Sequence, residues 1–208
     1  MKEERKLTPA EKKRKAAFEK TCAELERQGY MKQERIFGAI AINLFAILSS
    51  LPFIAIGCWI YRISRHPLDL LPFDFLWAFL LYFILVIVHE LIHGLMFGIF
   101  AGSHFRSVRF GIIWSALTPY CTCSDPLKRW QYVLACIMPT LILGFGLMGA
   151  ATITGSFMLF LVGVMMTLGG GGDLFMILKL LLYPTRGKTV LFHDHPWECG
   201  FVAFEQAG

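Results

Sequence analysis

The sequence lacks several features that would mark a soluble or secreted protein. No internal repeat or low-complexity linker divides its 208 residues, so the chain reads as a single structural unit with flanking segments. No secretory signal peptide is visible. The first thirty-five residues are densely charged, and no small-residue cleavage motif follows the first apolar run. That run is therefore expected to act as an uncleaved anchor. Nothing in the charge distribution calls for nucleic acid.

What the sequence has in abundance is apolar residues. They make up 56% of the chain, with a mean hydropathy of +0.57, against roughly 45–50% in soluble domains. A bilayer core takes ~20 residues of helix to cross. Four runs are long enough: Ile36–Ile60, Pro72–Phe100, Tyr132–Thr154 and Phe157–Tyr183. An even number of crossings puts the amino-terminal segment, the 103–131 loop and the carboxyl tail on one side. That side carries eleven Lys and Arg before residue 36, four in the loop and two in the tail, whereas the 61–71 loop carries only Arg62 and Arg65. The positive-inside rule makes the richer side cytoplasmic. The expectation is a multi-pass protein of the cytoplasmic membrane with both termini in the cytoplasm, its net charge of +5 facing anionic lipid. The six cysteines then fall mostly in the membrane or in a reducing compartment, where disulfides are not expected. Cys121 and Cys123 are one residue apart, short of the two-to-four-residue gap of common zinc pairs.

Thr8-Pro9-Ala10-Glu11 has the form of a helix start, and a charged helix is expected from there to about Gln28. Phe18, Cys22 and Leu25 draw a thin apolar stripe on it. Lys12-Lys13-Arg14-Lys15 could rest on lipid head groups, or the helix could be solvated without a partner. Pro52 and Pro139 should kink their spans; Pro72 and Asp74 suit the start of the second. Between Ser107 and Ser124 the β-favouring residues and Pro119 suggest a short hairpin, and the tail Thr189–Phe204 has a similar character. The expected fold is an all-α membrane protein: four transmembrane helices, a small cytoplasmic β-hairpin and an amino-terminal cytoplasmic helix. Its expected divisions are 1–35, 36–183 and 184–208.

The second span runs fourteen apolar residues directly into His89-Glu90-Leu91-Ile92-His93-Gly94. On a helix, His89 and His93 lie one turn apart on one face and can grip one metal ion. Glu90 points from an adjacent face, where it can reach an attacking water without being a ligand. Three ionisable groups within one turn at membrane depth, at about 2.5–3.5 kcal/mol each for a charged form, call for a compensating cation. A catalytic zinc takes three protein ligands and keeps one open position. Asp173, after four glycines in the fourth span, is the one other acidic residue deep in a span. It falls at a matching depth, and the glycines permit close helix approach or local unwinding. His104, His193, His195 and Glu198 are rival third ligands from the polar segments.

HELIHG at the end of a long apolar span, with Gly-Gly-Asp-Leu in a later one, resembles the site-2 protease clan of intramembrane zinc metalloproteases. The whole arrangement more closely resembles the zincin peptidase family of bacterial membrane proteins, including YCTCSDPLKRWQ at Tyr120–Gln131 and Asp194-His195-Pro196 before Cys199-Gly200. The resemblance implies zinc held by His89, His93 and Asp173, with Glu90 catalytic. It also implies a metalloendopeptidase acting on membrane-protein or peptide substrates in or beside the bilayer. Unlike the better-known clan members, this chain has its glycines before the aspartate and Leu174 after it. The alternative is a zinc-binding membrane regulator or transporter without hydrolysis.

Overall fold

The computed structural model describes residues 9–64, 66, 68, 73–113 and 118–207. Thr8 and Pro72, to which the sequence assigned helix starts, lie outside them, as do residues 114–117. The chain is mostly helical. Helix α1 (Pro9–Arg27) is amphipathic and charged, while α2 (Ala39–Ile63) and α3 (Asp74–Phe100) are long and apolar. Next come α4 (Arg129–Pro139), a π-helical stretch over Thr140–Phe145 and α5 (Gly146–Thr154), which together make one membrane-length rod. Helices α6 (Phe157–Gly169) and α7 (Gly171–Leu182) are bent by 44° at Gly170. Three helices are thus long and apolar enough to cross a membrane, or four if the bent pair counts as one span.

Local chemistry accounts for the breaks. Pro139 offers no N–H and its ring crowds the preceding turn, and the π-helical register begins at the next residue. Pro52 is absorbed inside α2 without a break. The rod formed by α4 and α5 turns into α6 through Gly155 and Ser156. Gly155 adopts φ +73°, left-handed backbone that favours glycine, and the Ser156 side chain accepts the Leu159 N–H at 3.3 Å. The tight hairpin expected between the third and fourth runs is therefore present.

The all-α expectation needs correcting. Strands β2 (Val108–Ile113) and β3 (Thr118–Cys123) form the anticipated antiparallel hairpin, but a separate four-stranded antiparallel sheet lies beside it. Its strands are β1 (Met31–Ile36), β4 (Leu127–Lys128), β5 (Lys188–Asp194) and β6 (Gly200–Ala207), in the order β1-β6-β5-β4. Ile36, expected to open the first span, instead pairs with Gly200, and the apolar helix begins after it. The stripe on α1 has a partner: Phe18, Cys22 and Leu25 are buried against Val202 and Phe204 of β6. On the other face Phe192, Phe201 and Ala203 join Phe97, Tyr132 and Leu180 in one core, which fixes the sheet to the ends of α3, α4 and α7.

Two close approaches align the helices. A Cβ on Gly171 would sit 2.5 Å from the Ala46 carbonyl oxygen, so α2 and the start of α7 touch backbone to backbone. A Cβ on Gly94 would run into the Phe110 ring, so the hairpin is pressed onto α3 one residue beyond His93. Each contact lies one residue from a residue that lines the cavity described next, Gly172 and His93.

Candidate metal centre

The helical spacing of α3 places His89 and His93 one above the other, and both are buried. The break at Gly170 starts a new helix, and Asp173 stands in its first turn, directed at the histidines. His89 Nε2 lies 3.1 Å from Asp173 Oδ2, His93 Nε2 lies 3.4 Å from the same oxygen, and the two Nε2 atoms are 3.1 Å apart. Among the described residues these three form the group of metal-binding type.

The donor set can be tested against zinc on geometry and protonation. Zinc–ligand bonds of ~2.0–2.1 Å at tetrahedral angles separate donor atoms by roughly 3.3 Å, which is the spacing seen. His93 Nδ1 is 2.9 Å from the Ala135 carbonyl oxygen. That oxygen can only accept, so Nδ1 carries a proton, which leaves Nε2 as the nitrogen that would hold a metal at the centre of the triangle. The His89 Nε2 faces the same point. Two imidazole nitrogens and a carboxylate oxygen converging at 3.1–3.4 Å suit a divalent cation.

The cavity over this triangle has a volume of about 330 Å³. Glu90 lines it beside the histidines. Around it stand Tyr120 and Cys121 of β3, Tyr132 and Cys136 of α4, and Asp194 at the end of β5. The Glu90 carboxylate is within hydrogen-bonding reach of the Cys121 main chain. Two residues on, the Cys123 N–H donates to Asp194 Oδ2 at 2.8 Å. With the register pairing Phe110 to Cys121 and Val108 to Cys123, the outward N–H groups of β3 point away from β2 and toward these carboxylates. The edge of β3 thus borders the cavity.

The rival ligands are placed elsewhere. His193 Nε2 bonds to the Ser124 carbonyl at 3.0 Å, His195 Nδ1 accepts the Glu198 N–H at 2.9 Å, and His104 Nδ1 lies near the Gly98 carbonyl. Burial raises the thiols of Cys121 and Cys123, the latter to about 11, so both stand protonated at neutral pH. Sequence reasoning missed a pair that closes the cavity: the Tyr132 hydroxyl donates to Asp194 Oδ1. Tyr132 is buried and Asp194 half-buried, and desolvation raises the Asp194 carboxyl. The one available signal was Asp194's place between two histidines, which drew attention to the imidazoles instead.

An apolar helical scaffold carrying a His-His-Asp triangle with a carboxylate beside it defines the class of a candidate metal-binding membrane protein. A family described as "Putative zincin peptidase" matches residues 82–187, the stretch that contains His89, Glu90, His93 and Asp173. The chain belongs to this family, which implies zinc and a metallopeptidase activity. No curated protein and no solved structure matches it.

Proposed function

We propose that the protein is a membrane-embedded zinc metalloendopeptidase of the site-2 protease type, with zinc held by His89, His93 and Asp173 and Glu90 as general base. The observation that carries this reading is the placement of a carboxylate outside the donor triangle, in the same cavity, on the residue after the first histidine. Ligation alone, as in a regulator or transporter, does not require Glu90.

When bound, zinc supplies a Lewis acid that lowers the pKa of a water and polarises the scissile carbonyl. Glu90 accepts the proton of the attacking water at its carboxylate and hands it to the departing amine nitrogen. His93 is held in one orientation by the Ala135 carbonyl, and Asp173 by the first turn of α7. The free edge of β3 offers the Cys121 main chain to an extended peptide, which would take the place of the Glu90 contact there. A transmembrane substrate must unwind to present such a strand. The excess of Lys and Arg on this side supports a cytoplasmic orientation for this end of the bundle, with water reaching the site from there.

The test is bound zinc and proteolysis in detergent-purified wild type, Glu90→Gln, His93→Ala and Asp173→Asn. Glu90→Gln should keep zinc and lose about 10²–10⁴-fold in hydrolysis; the other two should lose zinc. Full proteolysis in Glu90→Gln would refute the base assignment. Undiminished zinc in Asp173→Asn would remove the third ligand.

A further inference from the structure

Beside the metal cavity lies a second one of about 230 Å³ that the mechanism above does not use. Its floor is one face of the hairpin. The register pairs Arg109 with Thr122, and the strand alternation puts Tyr120 on the same side. Its roof is α1, with Arg14 and Phe18, and its far wall is the end of β5 with the turn after it, His193–Pro196. Tyr120 and Asp194 line both cavities and so form the wall between them.

The charge in this cavity is unbalanced. Two guanidinium groups line it against a single carboxylate, Asp194, whose two oxygens are already engaged by the Tyr132 hydroxyl and the Cys123 N–H. Arg14 lies over the Tyr120 ring, 5.1 Å from its centroid, and its Nε is closed off from solvent with no hydrogen-bond acceptor among the described residues. Arg109 is braced by the carbonyls of Arg106 and Val108, both bonded to Nη1 at 2.7 and 2.9 Å. A buried guanidinium N–H without an acceptor is costly. A planar carboxylate matches the geometry of the guanidinium fork.

We infer that this second cavity is a carboxylate subsite, which receives an aspartate or glutamate side chain of the peptide substrate. The inference rests on the peptidase reading. It favours a peptide over a lipid head group because of the shared wall and the strand geometry. A peptide laid along the outer edge of β3 at Cys121, in place of the Glu90 contact, sends alternate side chains to the face that carries Tyr120 and Thr122, which opens into the cavity. Acidic residues at one position relative to the cleaved bond would then be preferred.

The experiment uses the full chain in detergent micelles, zinc-loaded, with fluorescent peptide pools in which one position at a time is fixed as Glu or Gln. Binding is read by anisotropy on the Glu90→Gln protein, and kcat and KM on the Glu90-intact protein. At one position the Glu pool should bind at least tenfold more tightly. Arg109→Gln and Arg14→Gln should each abolish that preference while leaving zinc content unchanged, and should raise KM for the Glu pool without lowering kcat. Arg109→Lys, which keeps the charge and loses the fork, should restore part of it. Equal binding of the Glu and Gln pools at every position overturns the subsite. So does a preference that survives both arginine substitutions, or displacement of the Glu pool by phosphatidylglycerol nanodiscs at lipid levels where phosphatidylcholine nanodiscs have no effect. An arginine-dependent Glu preference in binding, together with absent hydrolysis in the Glu90-intact protein, would uphold the subsite and sink the peptidase reading instead.

Discussion

The helical bundle and the sheet that caps it are built on opposite rules. In the capping sheet, burial follows hydrophobicity: Phe192, Phe201, Val202, Ala203 and Phe204 are all at or near zero exposure. In the helices the large apolar side chains are the exposed ones, among them Trp77, Ile84 and Ile87 of α3, while the buried positions of that helix include His89, His93, Gly94 and Gly98. In a bilayer the apolar surface already has a suitable solvent, so packing is governed by small residues and by polar groups that need partners. The metal centre lies where α3 passes from the second regime to the first.

Substitutions can probe this contrast directly. Phe204→Ala, in the sheet, should cost about 3–5 kcal/mol, read as a fall in the thermal midpoint in micelles. Ile87→Ala on the exposed face of α3 should stay within about 0.5 kcal/mol. Equal losses from the two would erase the distinction. Gly171→Ala should cost about 1–3 kcal/mol by forcing α2 away from α7. Because Asp173 is two residues on, it should also weaken zinc retention against a chelator; unchanged retention would mean that the Ala46 contact does not position the carboxylate. Tyr132→Phe leaves one Asp194 oxygen without its donor and should cost about 1–3 kcal/mol. Bound zinc should be retained, since Tyr132 touches none of the three ligand atoms.

The smallest effect concerns pH. Burial holds His195 below the ordinary histidine range, with Glu34 and Glu198 pulling upward and His193 and Lys32 downward. A depressed folded pKa means that the unfolded chain binds the proton more readily. The contribution of His195 to stability is therefore complete above the unfolded value of about 6.5 and is lost as pH falls from there through the lower folded value. Unfolding followed by fluorescence of Trp197, which packs edge-on to His195, should show this loss, and His195→Gln should reduce it. An unchanged pH profile in His195→Gln would remove His195 as the cause.

Legibility in the sequence divided along the same line. The apolar spans, the hairpin and the spacing of His89 and His93 are local patterns, and each could be read from a window of a few residues. Asp173 was reachable because a lone carboxylate in an apolar run is conspicuous, although the helix break that turns it inward becomes visible only in the structure. In the sheet, the tail strands β5 and β6 were foreshadowed by the β character of Thr189–Phe204, but β1 was not legible. Met31 pairs with Glu205 across most of the chain, and β1, Met-Lys-Gln-Glu-Arg-Ile, is exposed along its length and carries no alternation to announce a strand. The Tyr132–Asp194 bond joins two segments sixty-two residues apart and escaped for the same reason.

The pairing of β6 with β1 also sets an order of assembly. The cavity wall at Asp194, Cys199 and Gly200 is translated after all of the apolar helices. The α3 histidines can therefore enter the bilayer before their enclosure exists. A nascent chain carries an open-sided centre, and the finished compartment forms once the later strands fold back onto residues made at the beginning.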